Sequence, residues 1–321
     1  MPQALIIGAA AGLASGALFV APLVGPLSGL LVVNYFAQLP LLLAGLGLGA
    51  LAGVVAAGGG LLVVVATTGI AGLVQFLIVY AVPATIVVRQ SLLRHEHPDG
   101  TVAWYPAGHV LAILTGYGAV TFLAVMMLVD HPGGLEGLVR QMLHQGLTEI
   151  VGPALDQSRF SPDDLTRAAA FWATLFPGLV LMSWLTMVAV NAALAQAILS
   201  RAGRALRPSP RYSELELPRY LLVPLVVSGL LWAVGGGGVA FAGKTLTIAF
   251  TTPYFFLGLA AVHALSRGWT GRALVLFVFY LLLLFLIGWH SIAAVAVLGL
   301  VEQWTGFRRR MAAAADNEEE R

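Results

Sequence analysis

The sequence predicts an all-α, polytopic transmembrane helix bundle of about eight to ten spans. Three observations carry this. Of 321 residues, 59% are hydrophobic and only 10% charged, against about 25% charged in an average soluble protein. Mean hydropathy is +0.89. The stretch Tyr35–Gly60, YFAQLPLLLAGLGLGALAGVVAAGGG, contains no charge at all. It has nothing to place on a polar face, so lipid or other membrane helices must surround it.

Taken in order, the first helix is expected over 4–20. Met1-Pro2-Gln3 carries no basic residue, so this run reads as a retained helix rather than a cleaved leader. Gly8, Gly12 and Gly16 recur every four residues, as do Ala10 and Ala14. Small residues on one face let helix backbones approach closely in lipid. That face can pack inside this protein or dock a partner. Pro22, Pro26 and Asn34 then mark a broken, partly polar connection up to Gln38. Two short helices, 39–50 and 51–66, meet at a glycine break. A longer one, 71–89, contains Pro83, which should kink it.

After the polar loop RQSLLRHEHPDGT (89–101) a helix is expected over 106–129. Within 133–152, apolar residues from Leu135 to Val151 recur at helical spacing, with Glu136, Arg140, His144 and Glu149 opposite. This is an amphipathic helix for the membrane surface. Ser161-Pro162-Asp163-Asp164 is a helix start and opens one long helix to residue 200. A basic loop (201–219) precedes spans at 220–236 and 246–265. The final run, 273–301, is interrupted by Gly288-Trp289-His290 and reads as a hairpin, with one long tilted helix as the alternative. The tail, 306–321, is basic and then acidic.

Charge placement orients the chain. If both ends and the loops 89–101, 201–219 and 266–272 are cytoplasmic, these segments hold 13 of the 17 Lys and Arg. That bias is the positive-inside pattern and requires an even number of crossings. It also accounts for the pI near 9.1 without nucleic acid. All charges are expected in loops or at helix ends, which argues against a proton-driven carrier or pump.

Few motifs suggest chemistry. With no cysteine, disulfides, thiolate metal sites and Cys nucleophiles are excluded. Gly238–Thr245, GVAFAGKT, matches the phosphate-loop pattern. That loop needs a buried strand before it and a helix after it; here it joins two spans and reads as a glycine-rich turn. His95, His97 and Asp99 could face a metal, but two His two apart with no second cluster read as a solvated loop. No catalytic constellation, metal site or cofactor is expected, and a membrane enzyme built on these three residues is the third-ranked reading.

Phe36–Gly53, with Leu39-Pro40, Ala44-Gly45, Gly49 and Ala52-Gly53, resembles the substrate-binding S subunits of energy-coupling-factor vitamin transporters. The resemblance covers 1–200 as a six-helix bundle and leaves 220–305 as additional helices. It implies docking of the coupling subunit through the small-residue face of the first helix: Gly8, Ala10, Gly12, Ala14 and Gly16. It also implies capture of a small solute on the outer side, where Asn34, Gln38 and Gln75 would hydrogen-bond and Trp172 would form a wall. Separate cytoplasmic ATPases would supply the energy. The whole chain is similar to the YybS-like family of bacterial membrane proteins, whose function is unassigned. Trp104–Gly108, Pro253–Gly258 and Leu298–Arg309 carry that similarity. The alternative function is a non-transporting scaffold or biogenesis factor, holding partners or anionic lipid through Arg201–Arg219 and Arg308–Arg310.

Overall fold

A computed structural model describes residues 2–23, 32–151, 161–267, 269–283, 289–308 and 310. Much of the expected connection 22–38, the stretch containing Arg159, the stretch containing Gly288 and the acidic tail lie outside the described residues. The chain is an all-α polytopic helix bundle. Among the described residues, five helices are long and apolar enough to cross a membrane: Pro2–Leu23, Ala50–Ser91, Ala107–Leu128, Phe176–Arg201 and Gly237–Leu265. Shorter apolar helices cover Val32–Leu48, Arg219–Val234 and Arg272–Leu281. The strands Arg94–Glu96 (β1) and Val102–Trp104 (β2) form one small antiparallel hairpin.

The helices form two compact units. The first comprises Met1–Leu114 and Trp184–Glu216. In it, α1 (Pro2–Val20) lies along the start of α3 (Ala50–Phe76). Gly8, Gly12 and Gly16 are buried against Ala52, Ala56 and Gly60 with Val63; a Cβ at Gly8 would sit 2.7 Å from the Ala52 carbonyl oxygen, and one at Gly12 would collide with that of Ala56. The pairs ascend together, so α1 and this part of α3 run parallel. The intervening α2 (Leu39–Leu48) therefore returns between them. It does so through Gly49, whose φ of 101° and ψ of 166° suit only a residue without Cβ. The turn is tight: a Cβ on Gly53 would stand 3.1 Å from the Gly45 Cα.

The break expected between 66 and 71 is at Gly69, with φ 70° and ψ −159° inside the apolar run. Beyond it the helix passes through a π turn, Leu77–Ala81, into α4 (Val82–Ser91). Pro83 has no N–H for the carbonyl of Val79, four residues back, and its ring crowds that carbonyl. Widening the turn relieves this clash. Leu41, Leu42, Val64, Phe76, Leu185 and Val188 fill the core of this unit, none more than 1% exposed.

The second unit comprises Thr115–Ser183 and Leu217–Arg321. α5 (Ala107–Leu128) ends in it, and α6 (Gly134–Val151) is the amphipathic helix, with Met142 and Ile150 exposed. The single helix expected from 163 to 200 is instead two, α7 (Pro162–Ala173) and α8 (Phe176–Arg201). Pro177 explains the break: it disfavours helical backbone just before it, yet fits the first turn of a new helix. α7 begins with the expected Ser161 cap, completed by Asp164, which bonds back to the Ser161 N–H at 2.8 Å.

The span expected to begin at 246 begins at Gly237 (α10, Gly237–Leu265), directly after α9 (Leu222–Val234). The phosphate-loop match thus lies inside a helix, and its Gly243 is buried against the backbone of Leu231 and Trp232. Lys244 is two turns inside α10, not at a helix end. Its Nζ donates to Thr174 Oγ1 at 3.1 Å and lies 5.7 Å from the Trp232 ring centroid. The last run forms α11 (Arg272–Leu281) and α12 (Trp289–Thr305). Ser291 Oγ donates to the Leu283 carbonyl at 3.2 Å, a contact between residues eight apart that a continuous helix would hold about 12 Å apart. The run 273–301 is therefore not one continuous helix. α12 packs antiparallel on α10, with Gly258 against Val295 and Gly299 against Tyr254.

Candidate functional site

The polar residues of the first unit converge on the turn at residues 36–38, between Asn34 and α2. Gln38 is fully buried, and its Nε2 donates to the Tyr80 carbonyl at 2.9 Å. Tyr80 Oη donates to Asn34 Oδ1 at 2.7 Å, and Asn34 Nδ2 donates to the Phe19 carbonyl at 3.0 Å. From α8, buried Asn191 gives Nδ2 to the carbonyls of Tyr35 and Met187 at 2.9 and 2.8 Å. Ser15 Oγ donates to the Ala37 carbonyl. Trp184 Nε1 donates to the Val79 carbonyl at 3.0 Å, the group that Pro83 leaves without its helical donor.

The π turn is what makes the cluster. It turns the carbonyls of Val79 and Tyr80 toward side-chain donors, and a buried carbonyl must be paired. Phe19, Phe76 and Tyr80 form an aromatic trio beside it, with ring centroids 5.4 to 5.7 Å apart. Two buried acceptors in this cluster take no hydrogen bond among the described residues: Gln38 Oε1 and Asn191 Oδ1. Both amide nitrogens face carbonyls, which fixes these oxygens as the free ends.

Asn34 and Gln38 are thus brought together through Tyr80. Gln75 is exposed on α3, one position before buried Phe76, and faces away from that core. Trp172 belongs to the second unit, is 45% exposed, and pairs edge-on with Phe171 at 5.5 Å. On α1 the two small-residue series separate. Gly8, Gly12 and Gly16 are covered by α3 of the same chain, whereas Ala10 and Ala14 are exposed.

Sequence reasoning missed Tyr80 and Trp184. The signal for both was Pro83, whose missing N–H frees a carbonyl one helical turn earlier. It also missed Arg207, which is 8% exposed within the basic loop. Arg207 Nη1 donates to the Ser91 and Tyr105 carbonyls at 3.0 and 3.4 Å, and its guanidinium stands 5.8 Å from the Trp104 ring centroid. Burial lowers its pKa from the ordinary arginine value. This arginine ties the loop to the β-hairpin and is a structural anchor.

His95 and His97 are exposed on that hairpin, rings 5.0 Å apart. Asp99 accepts from the Thr101 N–H and hydroxyl at 2.9 and 2.7 Å. It closes the hairpin tip, and these bonds hold its carboxyl below the usual carboxylate range. Among the described residues no group of three His, Asp or Glu side chains could hold a metal ion.

No curated protein and no solved structure matches the chain. The family model described as "Predicted membrane protein (DUF2232)" matches residues 13–302, nearly the whole length. The chain therefore belongs to this family of membrane proteins.

Proposed function

We propose that this integral membrane protein binds a small solute in its first unit, at the polar turn of residues 34–38. The observation that carries the reading is the pair of buried, unused acceptors, Gln38 Oε1 and Asn191 Oδ1. Leaving such atoms unpaired costs about 1–3 kcal/mol each, so a ligand bearing N–H or O–H donors would be favoured there. The surrounding groups are neutral, which suits an uncharged or weakly polar solute. The resemblance of Phe36–Gly53 to S subunits extends the reading to uptake, with cytoplasmic ATPases and a coupling membrane subunit supplying energy. The exposed Ala10 and Ala14 face, rather than the covered glycines, would dock that subunit. Both ends would lie in the cytoplasm of a bacterial cell. The protein acts in this scheme by capture and release, without catalysis.

Purification in detergent, mass-spectrometric identification of co-purified small molecules, and titration of those molecules test this. The expected result is one bound solute whose affinity falls on Gln38→Ala. Absence of any solute, or an affinity indifferent to that substitution, overturns it. A second reading, a scaffold or biogenesis factor, is favoured by Arg201 and Arg204, both exposed in the basic loop. Affinity capture separates the two: ATPase and coupling subunits support uptake, and envelope or division proteins support the scaffold.

A further inference from the structure

The second unit carries a site of different chemistry. A cavity of about 390 Å³ is lined by Arg219, Leu222, Tyr254, Leu300, Gln303 and Trp304. Arg219 stands just before α9, and Trp304 is in the last turn of α12, so two helix ends frame the opening. Arg219 is exposed, and no carboxylate pairs with it among the described residues. The nearest acid on α12, Glu302, is already engaged by Arg308 at 2.8 Å. Tyr254 is 1% exposed, yet its hydroxyl has no hydrogen-bond partner among the described residues. Gln303 Oε1 is likewise buried and unpaired, while its Nε2 makes only a long 3.5 Å contact with the Pro218 carbonyl. Trp304 is 71% exposed at the rim.

These groups specify a ligand. A free guanidinium and a phenolic O–H suit the oxygens of an anion. The orphaned Gln303 oxygen requires a donor on the same molecule. Leu222, Leu300 and the Trp304 indole offer apolar surface beside them, and tryptophan favours the level where headgroups meet hydrocarbon. We infer that this cavity binds a phosphodiester whose headgroup also carries a hydroxyl or primary ammonium group, its phosphate on Arg219 and Tyr254 and its donor on Gln303. The ligand is either a membrane phospholipid or the corresponding free glycerophosphodiester. The inference rests on the second unit alone and is independent of solute binding in the first.

The test titrates the full-length protein in dodecyl maltoside with dioleoylphosphatidylglycerol, reading bound lipid by native mass spectrometry. One lipid is expected to bind per chain, more tightly than dioleoylphosphatidylcholine, which has the phosphodiester but no donor. Arg219→Gln and Tyr254→Phe should each weaken it about tenfold, the scale of one lost charge-assisted or buried hydrogen bond. Gln303→Leu should erase the preference over phosphatidylcholine. Displacement by free glycerophosphoglycerol identifies a soluble ligand; displacement by the lipid only identifies a membrane one. Tyr254→Phe removes a buried atom with no protein partner among the described residues, so it should hold or raise the lipid-free thermal midpoint and carry the test even if Arg219→Gln misfolds. Equal binding of both lipids, unaffected by Tyr254→Phe, overturns the inference.

Discussion

At the scale of single residues, the first unit is governed by what small side chains permit. Gly12 lies so close to the Ala56 carbonyl that even one methyl group has no room. Gly12→Ala should therefore force α1 away from α3 and destabilise the protein by about 1–3 kcal/mol, the cost of overpacking. Ala14, one position from buried Ser15, faces outward. Ala14→Val should change stability by less than about 0.5 kcal/mol, as exposed substitutions do. Thermal unfolding in detergent checks both, and equal effects would mean that the two faces are not distinct. If Ala14 faces a coupling subunit, the same valine should impair complex recovery while stability holds.

At the scale of elements, proline and glycine decide where helices end and what they offer. Pro83→Ala restores an N–H to the Val79 carbonyl, which then has two competing donors. The π turn should revert toward regular helix and release Trp184 Nε1, shifting the emission of this half-buried indole. An unchanged spectrum in a variant retaining Trp184 as its sole tryptophan would show that Pro83 does not set the turn. α7 gives a pH-dependent counterpart. Hydrogen bonds from Ser161, chiefly its backbone N–H, then Arg167, hold the Asp164 carboxyl at about 2, below its ordinary 3.8. A depressed folded value means that the cap's contribution is complete above pH 3.8 and lost as pH falls toward 2. The protection of the Asp164 amide relative to its intrinsic exchange rate should fall across that window, and Asp164→Asn should flatten the response. This cap was legible in Ser161-Pro162-Asp163-Asp164, because capping is local chemistry. So was the Gly45–Gly53 hairpin, since glycine spacing in an apolar run is itself the signal. The break before Pro177 was equally local and was overlooked. The pairing of Gln38 with Tyr80 and of Trp184 with Val79 joins residues 42 and 105 positions apart, a distance no periodicity encodes.

At the scale of the whole molecule, the helix directions bear on sidedness. Parallel packing of α1 on the start of α3 requires the chain to return once between them, and α2 makes that return. Between the β-hairpin and the basic loop lie two long apolar helices, α5 and α8, separated by amphipathic α6. If each of the two crosses once, the hairpin and the basic loop share one side and α6 lies on the other. The segments 89–101 and 201–219, placed together in this way, carry seven of the 17 cationic residues, in keeping with a cytoplasmic side for both. The chain contains no cysteine, so single introduced thiols report sidedness without background. His95→Cys and Arg204→Cys, both at exposed positions, should react with a membrane-impermeant maleimide only from the cytoplasmic face. Thr148→Cys, exposed on α6, should react only from the opposite face. Labelling of positions 95 and 204 from different sides would require an odd number of crossings between them, and would remove the even-crossing arrangement on which a cytoplasmic basic loop depends.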